Sequence, residues 1–284
     1  MLTPSARREV TEQLVQSSVP VIRACRITGL SRAAYYKRPE PLQRDGQLID
    51  ALNAIVSQHN RWGFWKCYRR LRLDGLGCNH KRVYRVYCAM GLNLPRRGKK
   101  RLARRLRQPL DWATEPNRCW ALDFMHDALY CGRRFRTLNV IDEANREGLA
   151  IEVGVSIPAT RMVRVLNRLI DEYGQPEAIR LDNGPEMLSQ HFTEWAAAKG
   201  IAIRYIQPGK PNQNAFIERF NRTYRTEVLD AHLFANIEQV QVITDQWLND
   251  YNLYRPHDAL GGVPPRQFMS RHNCAAILYF KLST

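Results

Sequence analysis

Beyond about residue 112 the chain changes between two apolar periods in a fixed order, which restricts its fold more than any other feature. Runs with the two-residue period of a strand fall at 118–125, 134–141 and 149–155, joined by short turns. Strand runs at 178–181 and 202–206 then alternate with helix-period runs at 159–173, 187–199, 214–229 and 237–251. That order predicts an α/β fold: a mixed five-stranded sheet flanked by helices.

The residues before this region have a different texture and nearly all of the charge. Residues 1–117 hold 24 Lys and Arg against 8 Asp and Glu, whereas residues 118–284 hold 19 of each, so the net +16 sits in the front. A basic front on a neutral back implies a polyanion-binding part joined to a part with another task; the plainer reading is a basic surface that aids solubility. With 284 residues and 44% hydrophobic content, the chain can bury a core and form two or three domains. No apolar run approaches the ~20 residues that span a bilayer. The seven cysteines include no C-x-x-C pair, so they read as small buried hydrophobes in a reducing compartment rather than a zinc or disulfide framework.

The front is helical. A helix is expected over 5–16, and a second carries Ile22, Cys25 and Ile27 as its apolar face. Gly29 then marks a turn, and Ser31 caps a short basic helix with Arg32, Lys37 and Arg38. Helix, glycine turn and basic helix form a helix-turn-helix pattern, although any two short helices can mimic it. A second candidate follows: a helix opening at Trp62-Gly-Phe-Trp65, a turn at Gly75 and Gly77, and a helix capped by Asn79 that carries Lys81, Arg82 and Arg85. The aromatic residues of this block are read as core rather than base-stacking surface. Residues 96–107 contain eight basic residues in twelve, among them Arg96, Arg97, Lys99, Lys100, Arg101, Arg104 and Arg105. Such a run repels itself and suits a linker along a phosphate backbone; the alternative is a solvated tether.

Three acids stand out in the back half. Asp123 lies in Trp120-Ala-Leu-Asp-Phe-Met125, a strand apolar on both faces. A carboxylate there needs a base, a hydrogen-bond network or a cation, and a salt-bridged core Asp is the bland reading. Asp182 ends a strand and opens an Asp-Asn-Gly turn, which by itself explains the residue but also holds it at the carboxyl edge of a sheet. Glu218 lies on a helix whose apolar stripe is Ile217, Phe220, Tyr224 and Val228, with Asn221 or Arg222 and then Arg225 on the adjacent polar stripe. The three carboxylates could hold two Mg²⁺ or Mn²⁺ ions, since hard oxygen ligands select these over zinc. Lys210, Asn214, Arg222 and Arg225 would then face phosphate.

These residues resemble the DDE transposases of insertion sequences, whose catalytic core is like that of retroviral integrases. Thirty-five residues separate Asp182 from Glu218, and a basic residue, Arg225, stands seven positions after Glu218, as in that family. The likeness extends through Asp182-Asn-Gly-Pro-Glu186, Tyr205-Ile-Gln-Pro-Gly-Lys-Pro211, Gln213-Asn-Ala-Phe-Ile-Glu-Arg-Phe-Asn221 and Asp250-Tyr-Asn-Leu-Tyr-Arg-Pro-His257, and runs from about Arg7 to Phe268. The chain is similar to the second-frame product of two-frame, frameshifting insertion sequences. The resemblance implies an RNase H-like core: five strands, the first three antiparallel, with acids on the first and fourth strands and on a later helix. It also implies Mg²⁺-dependent cleavage and strand transfer of DNA at element ends and targets, by a homo-oligomer in the cytoplasm, associated with the nucleoid. The upstream-frame helix-turn-helix protein, fused or separate, is an implied partner. Asp142 and Glu143 are assigned to a turn, and Arg146 and Glu186 to family-like motifs without a catalytic part.

The expected organisation is a helix-turn-helix region at 1–40, a second such domain at 45–95, a basic linker at 96–111, the core at 112–270 and a tail at 271–284. Deleting residues 1–107 is expected to spare the core. Two other functions fit less of the sequence: a DNA-binding regulator with a silent core, and a plain RNase H-type nuclease.

Overall fold

A computed structural model of the chain describes residues 4–36, 45–95, 115–207 and 214–272. Lys37, Arg38, the basic residues of 96–107, Lys210 and the tail from 273 lie outside the described residues. The chain divides into two compact units, the first ending at Ala51 and the second starting at Leu52.

The first unit contains helices α1 (Pro4–Gln16), α2 (Val21–Thr28) and α3 (Arg32–Tyr36) and the start of α4 (Gly46–Gln58). Gly29 ends α2 at φ 67°, in the left-handed region, and its N–H returns to the Cys25 carbonyl. Ser31 accepts from the Ala34 N–H at 3.1 Å, as expected of its capping position. The apolar face of α2 differs from expectation. Ile22 and Ile27 are 58% and 62% exposed, while Ala24 and Cys25 are buried. Thr28 shares their side of the helix and hydrogen-bonds across to Thr11 of α1 at 2.7 Å, which fixes the inward stripe.

The second unit is organised on a five-stranded sheet of β1 (Cys119–Ala128), β2 (Arg134–Asp142), β3 (Gly148–Gly154), β4 (Ala178–Leu181) and β5 (Ala202–Tyr205), in spatial order β3-β2-β1-β4-β5. The first three strands are antiparallel, and β4 and β5 run parallel to β1. This is the RNase H-like arrangement that the resemblance implies. Side chains of β1 alternate between two cores. Trp120 and Leu122 join Leu138, Val140, Ile179 and Leu181 beneath α7 (Ala159–Tyr173) and α8 (Gln190–Ala198). Ala121 and Met125 face the other way, toward Ile217, Phe220 and Tyr224 of α9 (Ala215–Tyr224) and Val240 and Tyr251 of α10 (Ile237–Leu253). A last helix, α11, spans Pro265–His272.

Element bounds moved where caps decide them. The helix expected from 187 begins at Gln190, because Ser189 accepts from the Phe192 N–H. The helix expected over 214–229 is α-helical only through Tyr224 and then widens into a π-helical turn over Arg225–Leu229.

Helices α5 (Phe64–Leu73) and α6 (His80–Ala89) belong to the same compact unit as the sheet. The Arg70 guanidinium lies 4.1 Å from the Tyr254 ring centre and donates to the Tyr254 carbonyl at 3.2 Å. Trp62 is buried and stacks on His59, with Tyr254 next in the stack. Arg69 pairs with Asp258, and Gly262 at φ 88° leaves room for it: a Cβ there would sit 2.5 Å from the Arg69 Cδ. Residues 62–70 thus pack against the segment after α10, so deletion at residue 107, expected to spare the core, would strip contacts from it. The aromatic residues of this block divide, with Trp62 and Tyr87 buried but Trp65 and Tyr84 exposed. Cys25, Cys67 and Cys119 are buried as expected, whereas Cys131 is exposed in the β1–β2 turn. Among the described residues no helix is long and apolar enough to cross a membrane.

Candidate active site

Strand parity places the first acid. Asp123 follows Ala121 on the side of β1 that faces α9, with Asn139 opposite it on β2. The Asn221 side-chain amide of α9 donates to Asp123 Oδ2 at 2.7 Å, and the Asn139 amide donates to Asn221 Oδ1 at 2.6 Å. The Phe124 N–H donates to Asp123 Oδ1 at 2.8 Å. These donors fix the carboxylate's orientation.

The second acid follows from the parallel register. Cys119, Trp120 and Ala121 lie beside Ala178, Ile179 and Arg180, and the same offset carried past Leu181 brings Asp182 alongside Asp123. Asp182 Oδ1 accepts the Gly184 N–H at 3.0 Å, closing the Asp-Asn-Gly turn. The loop behind it is held by Arg136, which pairs with Glu186 and packs over Phe124, and by the Tyr205 hydroxyl donating to the Met187 carbonyl at 3.0 Å. Glu186 is thus a structural ion-pair partner, its carboxyl held below the usual range mainly by the Arg136 hydrogen bond.

Glu218 comes from the first turn of α9, where the helix dipole favours an acid. It and Asp182 are exposed, while Asp123 is half-buried. The electrostatics tie the three together. Burial pushes the Asp123 carboxyl up to about 6; the charge of Asp182 adds to this, the Phe124 and Asn221 hydrogen bonds oppose it, and Glu218 adds a smaller increment.

Among the described residues no three His, Cys, Asp or Glu side chains close into a ready-made metal cage. Oxygen-only ligands of this kind suit hard divalent cations. In two-ion sites each ion takes some of its ligands from substrate phosphate and water. Repulsion of Asp123 by two neighbouring acids is the charge imbalance that such cations would offset.

The other predicted residues fall in several environments. Arg225 donates to the His126 carbonyl at 2.8 Å and to Asp127 Oδ2 at 3.2 Å, fastening the end of α9 to the end of β1. Arg222 is exposed on α9, but Asn214 is only 4% exposed and sits inside the fold rather than on a contact surface. Arg32 is exposed on α3, and Lys81, Arg82 and Arg85 are exposed on α6 near the exposed rings of Trp65 and Tyr84. Asp142 and Glu143 lie in a buried polar turn at the far end of β2: Asp142 accepts from the Asn117 and Ala144 N–H groups, and Glu143 pairs with Arg180 at 3.0 Å.

Two models of the integrase core domain match residues 113–211 and 199–265, and an HTH-like domain matches residues 43–100. An uncharacterised 31.7 kDa protein of insertion element IS407 from Burkholderia multivorans is 36% identical, covering 89% of this chain and 92% of its own. The chain belongs to the DDE transposases of insertion sequences.

A protein named as a transposase of insertion sequence element IS986/IS6110 from Mycobacterium tuberculosis is 24% identical over 78% of this chain and 86% of its own. A chain of the simian T-cell lymphotropic virus intasome, solved in complex with the PP2A regulatory subunit B56 gamma, is 17% identical with a TM-score of 0.49, covering 77% of this chain and 73% of that one. In this transposase the two amides that position Asp123, Asn139 and Asn221, carry no such role in the sequence alone. Asn221 was placed on the polar stripe of α9, but its bond to Asp123 requires knowing that this stripe faces β1.

Proposed function

We propose that this transposase binds the terminal repeats of its insertion sequence and carries out metal-dependent DNA cleavage and strand transfer, with Asp123, Asp182 and Glu218 as the metal-holding acids. The observation that carries the reading is the convergence of the three acids: Asp123 on the α9 side of β1, Asp182 beside it in the parallel register, and Glu218 in the first turn of α9, whose Asn221 hydrogen-bonds Asp123. Two Mg²⁺ or Mn²⁺ ions on these acids would supply an activated water or 3′-hydroxyl and stabilise the leaving 3′-oxygen. Asn221 and the Phe124 N–H orient the Asp123 carboxylate. Arg225 keeps α9, and with it Glu218, against β1. Lys81, Arg82 and Arg85, with Arg32 of the first unit, present exposed positive charge to a DNA backbone. Two element ends must be held together, so the active form is a homo-oligomer on DNA, and the upstream-frame protein, fused or separate, is a candidate partner.

The test is incubation of the chain with terminal-repeat DNA and Mg²⁺. Nicking at a 3′ end is expected. Tight binding without nicking would instead identify a DNA-binding regulator, and cutting of an RNA–DNA hybrid without preference for element ends a plain nuclease.

A further inference from the structure

Helix α5, helix α9 and the turn after α10 enclose a cavity of about 200 Å³ that the strand-transfer reading does not use. Its walls carry Lys66, Arg146, Arg219, Arg255 and His257, and the acid among its lining residues is Asp258. Asp258 is already paired with Arg69. Two of the cations are likewise committed. Arg255 pairs with Glu227 at 2.8 Å, and Arg146 lies 3.3 Å over the Phe216 ring and donates to the Glu143 carbonyl.

The remaining groups are less committed: the His257 ring is hydrogen-bonded to the Tyr251 backbone through one nitrogen only. Neither the Lys66 ammonium nor the Arg219 guanidinium has a hydrogen-bond or ion-pair partner among the described residues. The His257 ring is half-buried, set edge-on to Tyr251 at 4.6 Å, and its buried Nε2 has no partner among the described residues. Burial first, and the Arg255 charge second, lower Lys66 to about 8 and push His257 well below the ordinary histidine range. A half-enclosed pocket with this excess of positive charge disfavours its own cations, and a bound anion would reverse that penalty.

We propose that this cavity is a phosphate-binding site, filled by a backbone phosphate of a bound nucleic-acid strand. Lys66 from α5 and Arg219 from α9 donate from two elements, and His257 from the turn joins them as a third donor by taking up a proton with the anion; donors from three directions suit a tetrahedral oxyanion better than a planar carboxylate. Arg219 follows Glu218 directly, so it projects about 100° around α9 from the proposed catalytic acid. A strand crossing α9 could therefore engage both stripes of the helix. Bound phosphate would also bridge α5 to α9 and couple the helical pair to the core. The cavity itself is independent of the strand-transfer reading; only the source of the phosphate rests on it.

The test uses the full chain with ¹³C-labelled histidine. The His257 ring signal is identified as the one missing from His257→Gln. Inorganic phosphate is then added at constant ionic strength, and in a second arm a short single-stranded oligodeoxynucleotide without terminal phosphates. Both are expected to move the signal saturably, with the affinity reduced about tenfold or more in Lys66→Gln and in Arg219→Gln. No movement with either probe, or an affinity in both variants equal to that of the native chain, overturns the site. Movement with inorganic phosphate alone keeps the anion site and overturns its nucleic-acid source. Should His257→Gln not fold, phosphate affinity measured calorimetrically on Lys66→Gln and Arg219→Gln decides the same question. Neither arm requires strand cleavage, so failure of the catalytic reading leaves this result interpretable.

Discussion

The side-chain amide of Asn221 hydrogen-bonds Asp123 Oδ2 at 2.7 Å, joining helix α9 to the central strand across ninety-eight residues of sequence. Asn139 completes the relay from β2, so one buried chain of amides sets the orientation of the carboxylate. Asn221→Ala removes the donor to Asp123 and leaves the Asn139 amide unpartnered. Strand cleavage should fall about 10–100-fold, as for outer partners of metal ligands. Stability should fall by about 1–3 kcal/mol. Single-turnover cleavage rates and denaturant unfolding measure the two effects; an unchanged rate would remove Asn221 from the support of the site.

The raised Asp123 carboxyl makes divalent-ion binding pH-dependent. Its folded value, about 6, lies above the ordinary 3.8, so the ion-free fold gains stability from this group fully below 3.8 and loses it as the pH rises through about 6. Ions require the ionised form, so Mg²⁺ affinity should weaken as the pH falls through about 6. Asp142 is also raised to about 6, chiefly by burial, and contributes to stability with the same sign. Thermal melting against pH, with and without Mg²⁺, should show the ion-induced gain shrinking below pH 6 in the native chain and absent in Asp123→Asn.

Arg180 reaches from β4 to the buried Glu143 at 3.0 Å, and Glu143 is fully buried. Removing one partner strands a charge in the fold. Glu143→Ala or Arg180→Met should each cost about 3–5 kcal/mol, and the double variant should recover much of the loss. Urea unfolding of the three variants gives the coupling directly; additive losses would show that the pair is not coupled.

Removal of residues 1–44, which ends just before α4 and leaves that helix whole, should leave the rest folded. Removal of residues 1–107 should lower the melting temperature of what remains, because it strips Trp62, Arg69 and Arg70 from Tyr254 and Asp258. Equal melting temperatures for the two truncations would contradict the docking of α5.

Much of this was legible in the sequence for local reasons. The alternation through Trp120, Leu122 and Asp123 reports strand and face together, so the five strands and the side of the sheet holding Asp123 follow from period and parity. Ser31 and Asn79 announce their helices because a cap is a contact between near neighbours. Contacts that join distant segments were not legible. Arg70 meets Tyr254 across 184 residues, and no local pattern records that meeting. Ile22 and Ile27 have helical spacing, but periodicity does not say which side of so short a helix a neighbour covers. Asn214 lies in a motif and looked polar enough for the surface, yet the fold buries it.

The most direct measurement is anomalous scattering from Mn²⁺ in crystals of the chain bound to its end DNA. Two peaks about 3.5–4 Å apart are predicted, ligated by Asp123, Asp182 and Glu218. Peaks ligated elsewhere, or a trio of acids that leaves the ions untouched, would contradict the account.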